Sequence, residues 1–324
     1  MNSGWSLRSL AWWALSFLVS GILLYYSLRG VDWTTVWHII ATANWPYLAG
    51  GAVITSGSYF LRGLRWRVLL NAEADFSVGT VFWANMAGYL GNNFLPARAG
   101  EMLRSVLISS RSKLSKTYVL TTALSERLMD VIALVLGSSL VLLTVSPKPR
   151  WMEDLSRTMA IVAGLGAVVI TLLPHTGTLV ETILQRIPMP AGLRKTLLRL
   201  AEQILLGMRA FHDWRRFASF VFLTLVIWVA DSTGAIIGAR ALGLHFSFSV
   251  ALLLLTGMGL GSALPSTPGY VGVYQFVAVT ILMPFGVTRD AALAYILLVQ
   301  VSGYVIVALL GLPGLYISRR NVSR

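Results

Sequence analysis

The sequence predicts an all-α, polytopic integral membrane protein with about six full spans and two re-entrant helical hairpins related as an inverted repeat. Three observations predict it. Of the 324 residues 56% are hydrophobic and only 12% are charged, about half the charged share of a soluble domain. Mean hydropathy is +0.71, which leaves too little polar surface to cover a water-soluble particle and excludes a soluble enzyme. Apolar runs near the ~20 residues that a bilayer span needs recur along the chain, and two of them are broken by polar, Pro- and Gly-containing elbows.

Residues 9–28 form the first span. Tyr25-Tyr26-Ser27-Leu28 is no small-residue cleavage site, so the segment is a retained anchor rather than a signal peptide. Trp33, Val36, Trp37 and Ile40 share a helical face behind Asp32, which predicts a short interfacial helix. Residues 46–61 span next and close on Arg62, Arg65 and Arg67. Residues 77–110 divide into an apolar half (78–90), a polar elbow (92–101) and a second half. Neither half spans comfortably, and irregular backbone at membrane depth must line a cavity or be buried in protein. A re-entrant hairpin follows from that.

A long span, 117–145, carries Glu126, Arg127 and Asp130. After another span at 159–173 comes a basic amphipathic segment, 179–216, with apolar residues at three- or four-residue steps; it is expected to lie on the cytoplasmic membrane surface. Residues 217–237 span with Asp231 inside. The second broken region is 249–285, with its elbow at 264–272, and 291–317 is the last span. Placing both termini in the cytoplasm puts seventeen of the 26 basic residues inside, Arg62, Arg65 and Arg67 among them, and six outside. This is the positive-inside bias of a multi-pass membrane protein. The net charge of +13 is read in that way and not as a nucleic-acid surface.

The whole chain, 1–324, reads as one transmembrane domain. An offset of 169 superimposes Gly88 on Gly257, Leu95 on Leu264, Pro96 on Pro265 and Gly100 on Gly269. Repeat one covers about 46–145 and repeat two about 217–317, entered from opposite sides. That is the arrangement which places a transporter's site at the repeat interface. Ordinary kinks in full spans would explain the same Pro-Gly breaks.

Charges inside a span cost at least ~2.5–3.5 kcal/mol each, so they mark the candidate site. Glu126 and Asp130 share a face, as do Arg98, Glu101 and Arg104 if that segment is helical; Arg127 would neutralise a carboxylate from another helix. Together with Asn92 and Asn93 they suit a polar cavity holding an anionic headgroup, with Ser266 and Thr267 as further contacts. Internal salt bridges that clamp helices would use the same residues. Asp231 is either a proton-coupling group, as Glu126 and Asp130 also could be, or a carboxylate bonded to a neighbouring helix. Pro96, Gly100, Pro265, Pro268, Gly269 and Gly272 shape the backbone, and Gln300 and Tyr304 suit helix packing. With no cysteine and four scattered histidines, no metal site is expected. No Gly-rich loop ending in Gly-Lys-Ser/Thr is present, and no cofactor is expected.

The run Asn92-Asn93-Phe94-Leu95-Pro96-Ala97-Arg98-Ala99-Gly100-Glu101 with Arg104, the Glu126-Arg127 and Asp130 cluster, and Leu264-Pro265-Ser266-Thr267-Pro268-Gly269-Tyr270-Val271-Gly272 resemble the lysylphosphatidylglycerol synthase transmembrane-region family. Its members are also known as flippase-like domain proteins. The resemblance, from about residue 9 to 317, implies an inner-membrane protein that handles lipids. In two-part members this domain is thought to move an aminoacylated phospholipid between leaflets, while a soluble domain makes that lipid. The chain stops seven residues after Ile317, so no synthase domain and no enzyme activity are expected. Stand-alone relatives are linked to polyprenyl-linked sugars, glycolipids or hopanoids. A lipid flippase is therefore the leading expectation. The alternative is a non-transporting subunit that docks a lipid-modifying enzyme through 179–216; a membrane-embedded transferase is least supported. Homodimers are common for this kind of fold, and one is carried as an expectation.

Overall fold

A computed structural model describes residues 7–95, 99–144, 150–172 and 209–320, with scattered positions between 186 and 198; every regular element among them is helical. The first helix, α1 (Leu7–Leu28), turns through Gly30 into α2 (Trp33–Ala41), and the two are bent by 87°. Asp32 caps α2 by accepting the Thr34 N–H at 3.0 Å. The predicted apolar face of α2 is split: Val36 is fully buried, whereas Trp33 and Trp37 are exposed.

Helix α3 (Trp45–Leu70) opens with Pro in its first turn, where a missing N–H costs nothing, and runs well past residue 61. Then α4 (Val78–Phe94) and α5 (Ala99–Ser109) fold back on each other. Gly88 and Gly91 of α4 face Gly100 of α5 so closely that a Cβ on Gly91 would lie 2.8 Å from Gly100 Cα. The break is shorter than the 92–101 elbow read from the sequence. Asn92 and Asn93 sit in the last turn of α4, and Gly100 and Glu101 open α5; Pro96 and Arg98 lie outside the described residues.

Helices α6 (Lys116–Thr144) and α7 (Arg150–Leu172) pack together. The surface segment 179–216 falls largely outside the described residues. Its predicted end at Arg216 belongs to α8 (Trp214–Ala241), because Asp213 caps that helix earlier than the apolar run begins. A second hairpin follows, α9 (Phe248–Gly261) and α10 (Val273–Leu282), with Gly257 of α9 against Val277 and Ile281 of α10. The chain closes with α11 (Arg289–Arg320).

Long-range packing is pairwise. α3 lies along α8, α4 along α11 and α6 along α9, while α1 covers α10 and α2 rests on α11. One apolar core joins Trp66, Leu69, Val81, Leu107, Val119 and Phe220; another joins Leu254, Ala278, Leu282, Leu293 and Ile296. Length and apolarity alone qualify three described helical stretches to cross a membrane: Trp214–Ala241, Pro268–Phe285 and Arg289–Ser318. The bent pair of α1 and α2 could add a broken one. That is fewer than six. Helices α3 and α6 are long enough but carry Arg62 and Arg65, and Glu126, Arg127 and Asp130, within their length.

Candidate functional site

Five helices each turn a polar stripe toward one point. On α3 it is Ser58, Arg62 and Arg65; on α4 Asn85, Tyr89 and Asn92; on α5 Glu101 and Arg104; on α6 Glu126, Arg127 and Asp130; on α8 Thr224 and Asp231. Steps of three, four or seven place these residues on one helical face, with Arg127 beside Glu126 at its edge, and the hairpin seam brings α4 and α5 close enough to join it.

Arg65 is at the centre. Its Nη2 donates to Glu126 Oε1 at 2.9 Å and Asp130 Oδ2 at 2.8 Å, and its Nη1 donates to Thr224 Oγ1 at 3.1 Å. Arg104 Nη1 donates to Asn85 Oδ1 at 2.7 Å and Glu126 Oε2 at 3.1 Å, while its Nε meets Glu101 Oε2 at 2.6 Å. Glu101 Oε1 also accepts from Arg127 Nη2 at 3.0 Å and from Asn92 Nδ2 at 3.2 Å. At the α8 side, Arg62 pairs with Asp231 at 2.5 Å, and Ser58 Oγ donates to the same carboxylate.

Every one of these arginines also lies over an aromatic ring: Arg104 over Trp66 at 4.4 Å, Arg65 over Phe220 at 5.1 Å, Arg62 over Trp228 at 5.2 Å and Arg127 over Tyr89 at 5.5 Å. The rings supply a negative face where water has been removed. Four arginines and four carboxylates make the network neutral. Buried ion pairs persist only when geometry and added hydrogen bonds offset desolvation; here Asn85, Asn92 and Thr224 add such bonds, while Arg65 Nε and Arg104 Nη2 have no hydrogen-bond partner among the described residues. Exposure rises along it: the Arg65 side chain is fully buried, and that of Arg127 is 31% exposed. Asn92 Oδ1 and Asn85 Nδ2 are buried beside these pairs without a partner among the described residues.

The structure thus joins Asn92, Glu101, Arg104, Glu126, Arg127 and Asp130, and links Asp231 to them through Arg62. Arg127 neutralises Glu101 of another helix as expected. Asp231 is bonded to Ser58 and Arg62 of the neighbouring helix α3. Asn93 is half-buried and takes no part in these bonds; Arg98 lies outside the described residues. One reading is corrected: Arg62 and Arg65 are not a cytoplasmic basic cluster but buried partners of Asp231, Glu126 and Asp130, which takes two from the inside tally. A basic run closing an apolar segment imitates the positive-inside signal. Their spacing with Ser58 was the available clue. Asn85, Tyr89, Trp66 and Thr224 also escaped notice, because such residues are ordinary in any helix.

Ser266 and Thr267 do not join the network. Thr267 donates its N–H to Ser20 Oγ at 3.0 Å and its hydroxyl to Val271 O at 3.1 Å, and Ser266 is half-buried. After Pro265, a single turn from Pro268 to Tyr270 packs against α4. Gly269 and Gly272 adopt φ of 74° and 88°, which any other residue would adopt only with strain. Gln300 Nε2 donates to Gly269 O at 2.7 Å and to Tyr304 Oη at 2.6 Å; Gln275 accepts the Gly272 N–H and donates to Gln300. The glue therefore sets the second elbow.

Comparison with known proteins agrees with this architecture. The family described as "Lysylphosphatidylglycerol synthase TM region" matches residues 13–311. A UPF0104 membrane protein of Methanothermobacter thermautotrophicus is 23% identical, covering 91% of this chain and 90% of the relative. The glycosyltransferase AglD of Haloferax volcanii is 25% identical over 87% of this chain, but the match spans only 53% of that protein. A UPF0104 membrane protein of Methanocaldococcus jannaschii is 22% identical over 72% of this chain. No solved structure matches.

Proposed function

The chain belongs to the lysylphosphatidylglycerol synthase transmembrane-region family, and from that premise we propose that it moves an amphipathic lipid between the leaflets of a cell inner membrane. The cargo has an anionic head, or one modified by sugar or an aminoacyl group. One observation carries the reading: a neutral buried network that is open at one corner, where the Arg127 side chain is partly exposed. A structural clamp needs no open corner. A headgroup phosphate would displace Glu101 from Arg127, with the tails left in lipid; Asn93 and Arg98 are carried from the sequence as further candidate partners of the head.

The pairings of α3 with α8, α4 with α11 and α6 with α9 support an inverted repeat. Exchanging the halves turns the second pairing into the third and returns the first to itself. Gly88 and Gly257, matched by the 169-residue offset, each line the seam of a hairpin. In this reading both termini are cytoplasmic and the elbows open alternately, with Ser266 and Thr267 meeting the head on the second side. The glycosyltransferase name of one relative favours a sugar-bearing lipid cargo. The chain acts here as a transporter and not as an enzyme.

The second reading, a non-transporting subunit that docks a lipid-modifying enzyme, is favoured by the ion pairs that hold Arg65 to Glu126 and Asp130 out of reach of any ligand. Proteoliposomes carrying a head-labelled lipid decide between them. Arg127→Ala should cut transfer while the protein still elutes as a folded species; transfer equal to wild type would hand the case to the docking role.

A further inference from the structure

We propose that the fold carries a second lipid site, sharing no residue with the charged network, in a groove of about 390 Å3 between the last turn of α1, the outer face of α10 and the start of α11. Its floor is Phe276, Val279 and Thr280 of α10, at helical spacing and so on one face, with Met283 of the short turn that follows. Tyr26 and Pro284 form the sides, and Arg289 stands at one end. The volume lies in the range of small-molecule sites.

The arginine gives the groove its polarity. Arg289 Nη1 donates to the carbonyls of Tyr26 at 3.0 Å and Arg29 at 2.8 Å, fixing it on the C-terminus of α1. Its Nε and Nη2 have no acceptor among the described residues. Neither of the two nearby acids is ion-paired with it: Asp290 Oδ1 accepts the Asp32 N–H at 3.1 Å, and the Asp32 carboxylate accepts from Thr34 and Thr35. Tyr25, Tyr26, Trp33 and Trp37, at the same end, are 43–62% exposed. Amphipathic rings of this kind gather at headgroup level.

An apolar floor, a fixed guanidinium at one end and a rim of interfacial aromatics fit a glycerophospholipid, with one acyl chain along α10 and its phosphate diester on Arg289. This occupant does not depend on the transport reading.

Native mass spectrometry of the full chain in mild detergent, titrated with dioleoyl phosphatidylglycerol, tests it. Arg289→Gln removes the phosphate contact, and Met283→Trp fills the groove from an exposed position. Each should weaken retention of one lipid about tenfold, the scale of a charge-assisted hydrogen bond or a blocked chain. Repeating the titration in an Arg127→Ala background removes any lipid held at the network from the count. Glycerol phosphate, a head without chains, should not compete. Unchanged retention in Met283→Trp, or full competition by glycerol phosphate, overturns the site. Because Arg289→Gln also uncaps α1, its melting is read in parallel, and a misfolded variant leaves Met283→Trp to decide.

Discussion

Arg65 of α3 and Asp130 of α6, 65 positions apart, form a two-pronged ion pair: Nη1 and Nη2 of the guanidinium meet the two carboxylate oxygens at 2.5 and 2.8 Å. Neither side chain has more than a few per cent of its surface exposed. Removing one partner of such a pair strands the other charge, at a cost of about 3–5 kcal/mol. Arg65→Met should therefore melt far below wild type in detergent. Adding Asp130→Leu, which leaves three cations facing three anions, should restore part of the loss. A single variant that melts with wild type would show that the pair does not hold α3 to α6.

The first hairpin depends on backbone contact, which gives a second expectation. Gly91→Ala would press a methyl against Gly100 Cα at 2.8 Å, and backbone cannot yield as a side chain can. Gly57, on an exposed face of α3, has nothing within 4 Å of its would-be Cβ. Ala there should be neutral or stabilising by up to about 1 kcal/mol. Thermal melting of the two variants separates the seam from helix propensity. Equal melting would mean that the hairpin opens without cost.

Much of this was legible in advance, for a physical reason. Apolar runs, basic ends and the two Pro-Gly elbows are local signals, and they located the helices, although α3 runs nine residues past its predicted end and α7 begins nine residues before its predicted start. Glu126, Arg127, Asp130, Glu101 and Arg104 announced themselves because charge in an apolar run demands an explanation. Arg62 and Arg65 did not, since lipid headgroups explain basic residues at a span's end equally well; only the reach of α3 to Leu70 distinguishes the two cases. Partner choice is non-local. That Arg127 takes Glu101 while Arg65 takes Asp130 depends on how α5 folds back, which spacing within one helix cannot encode.

The second elbow should loosen when Gln300 is replaced by Leu. Gln275 Nε2 would be left unpaired, at a cost of about 1–3 kcal/mol, and Gly269 O and Tyr304 Oη would keep only each other. Hydrogen–deuterium exchange should rise across residues 262–272 and stay level in α3 and α8. Unchanged exchange would show that the positive-φ glycines hold the turn alone.

Asp32 predicts an acid limit for the α2 cap. The hydroxyls of Thr34 and Thr35 hold its pKa down from 3.8 to about 2. A depressed carboxylate contributes stability that is complete above the unfolded value and fades as pH falls through the folded one. The cap therefore persists at pH 4 and weakens toward pH 2. A carboxyl-carbon NMR titration should place Asp32 near 2, and Thr34→Ala with Thr35→Ala should move it back up. A midpoint at 3.8 in the wild type would mean that the hydroxyls face away.

Arg62 stands between carboxylates of the two proposed halves, 2.5 Å from Asp231 on α8 and 3.8 Å from Asp130 on α6. In the transport reading the halves move against each other along α3 and α8, and Arg62 is the charge that spans that boundary. Asp231→Asn keeps the shape and the Ser58 contact but leaves four cations facing three anions, which pulls Arg62 toward Asp130 and biases one arrangement. Transfer in proteoliposomes should then fall more than about tenfold while lipid binding persists, the pattern of an interaction made during movement rather than at rest. Asp231→Glu should recover part of it. A pH dependence of transfer present in wild type and absent from Asp231→Asn would assign the coupled proton to this carboxylate. Transfer by Asp231→Asn at the wild-type rate would reduce Asp231 to a helix-packing partner and leave Glu126 and Asp130 to be tested for coupling.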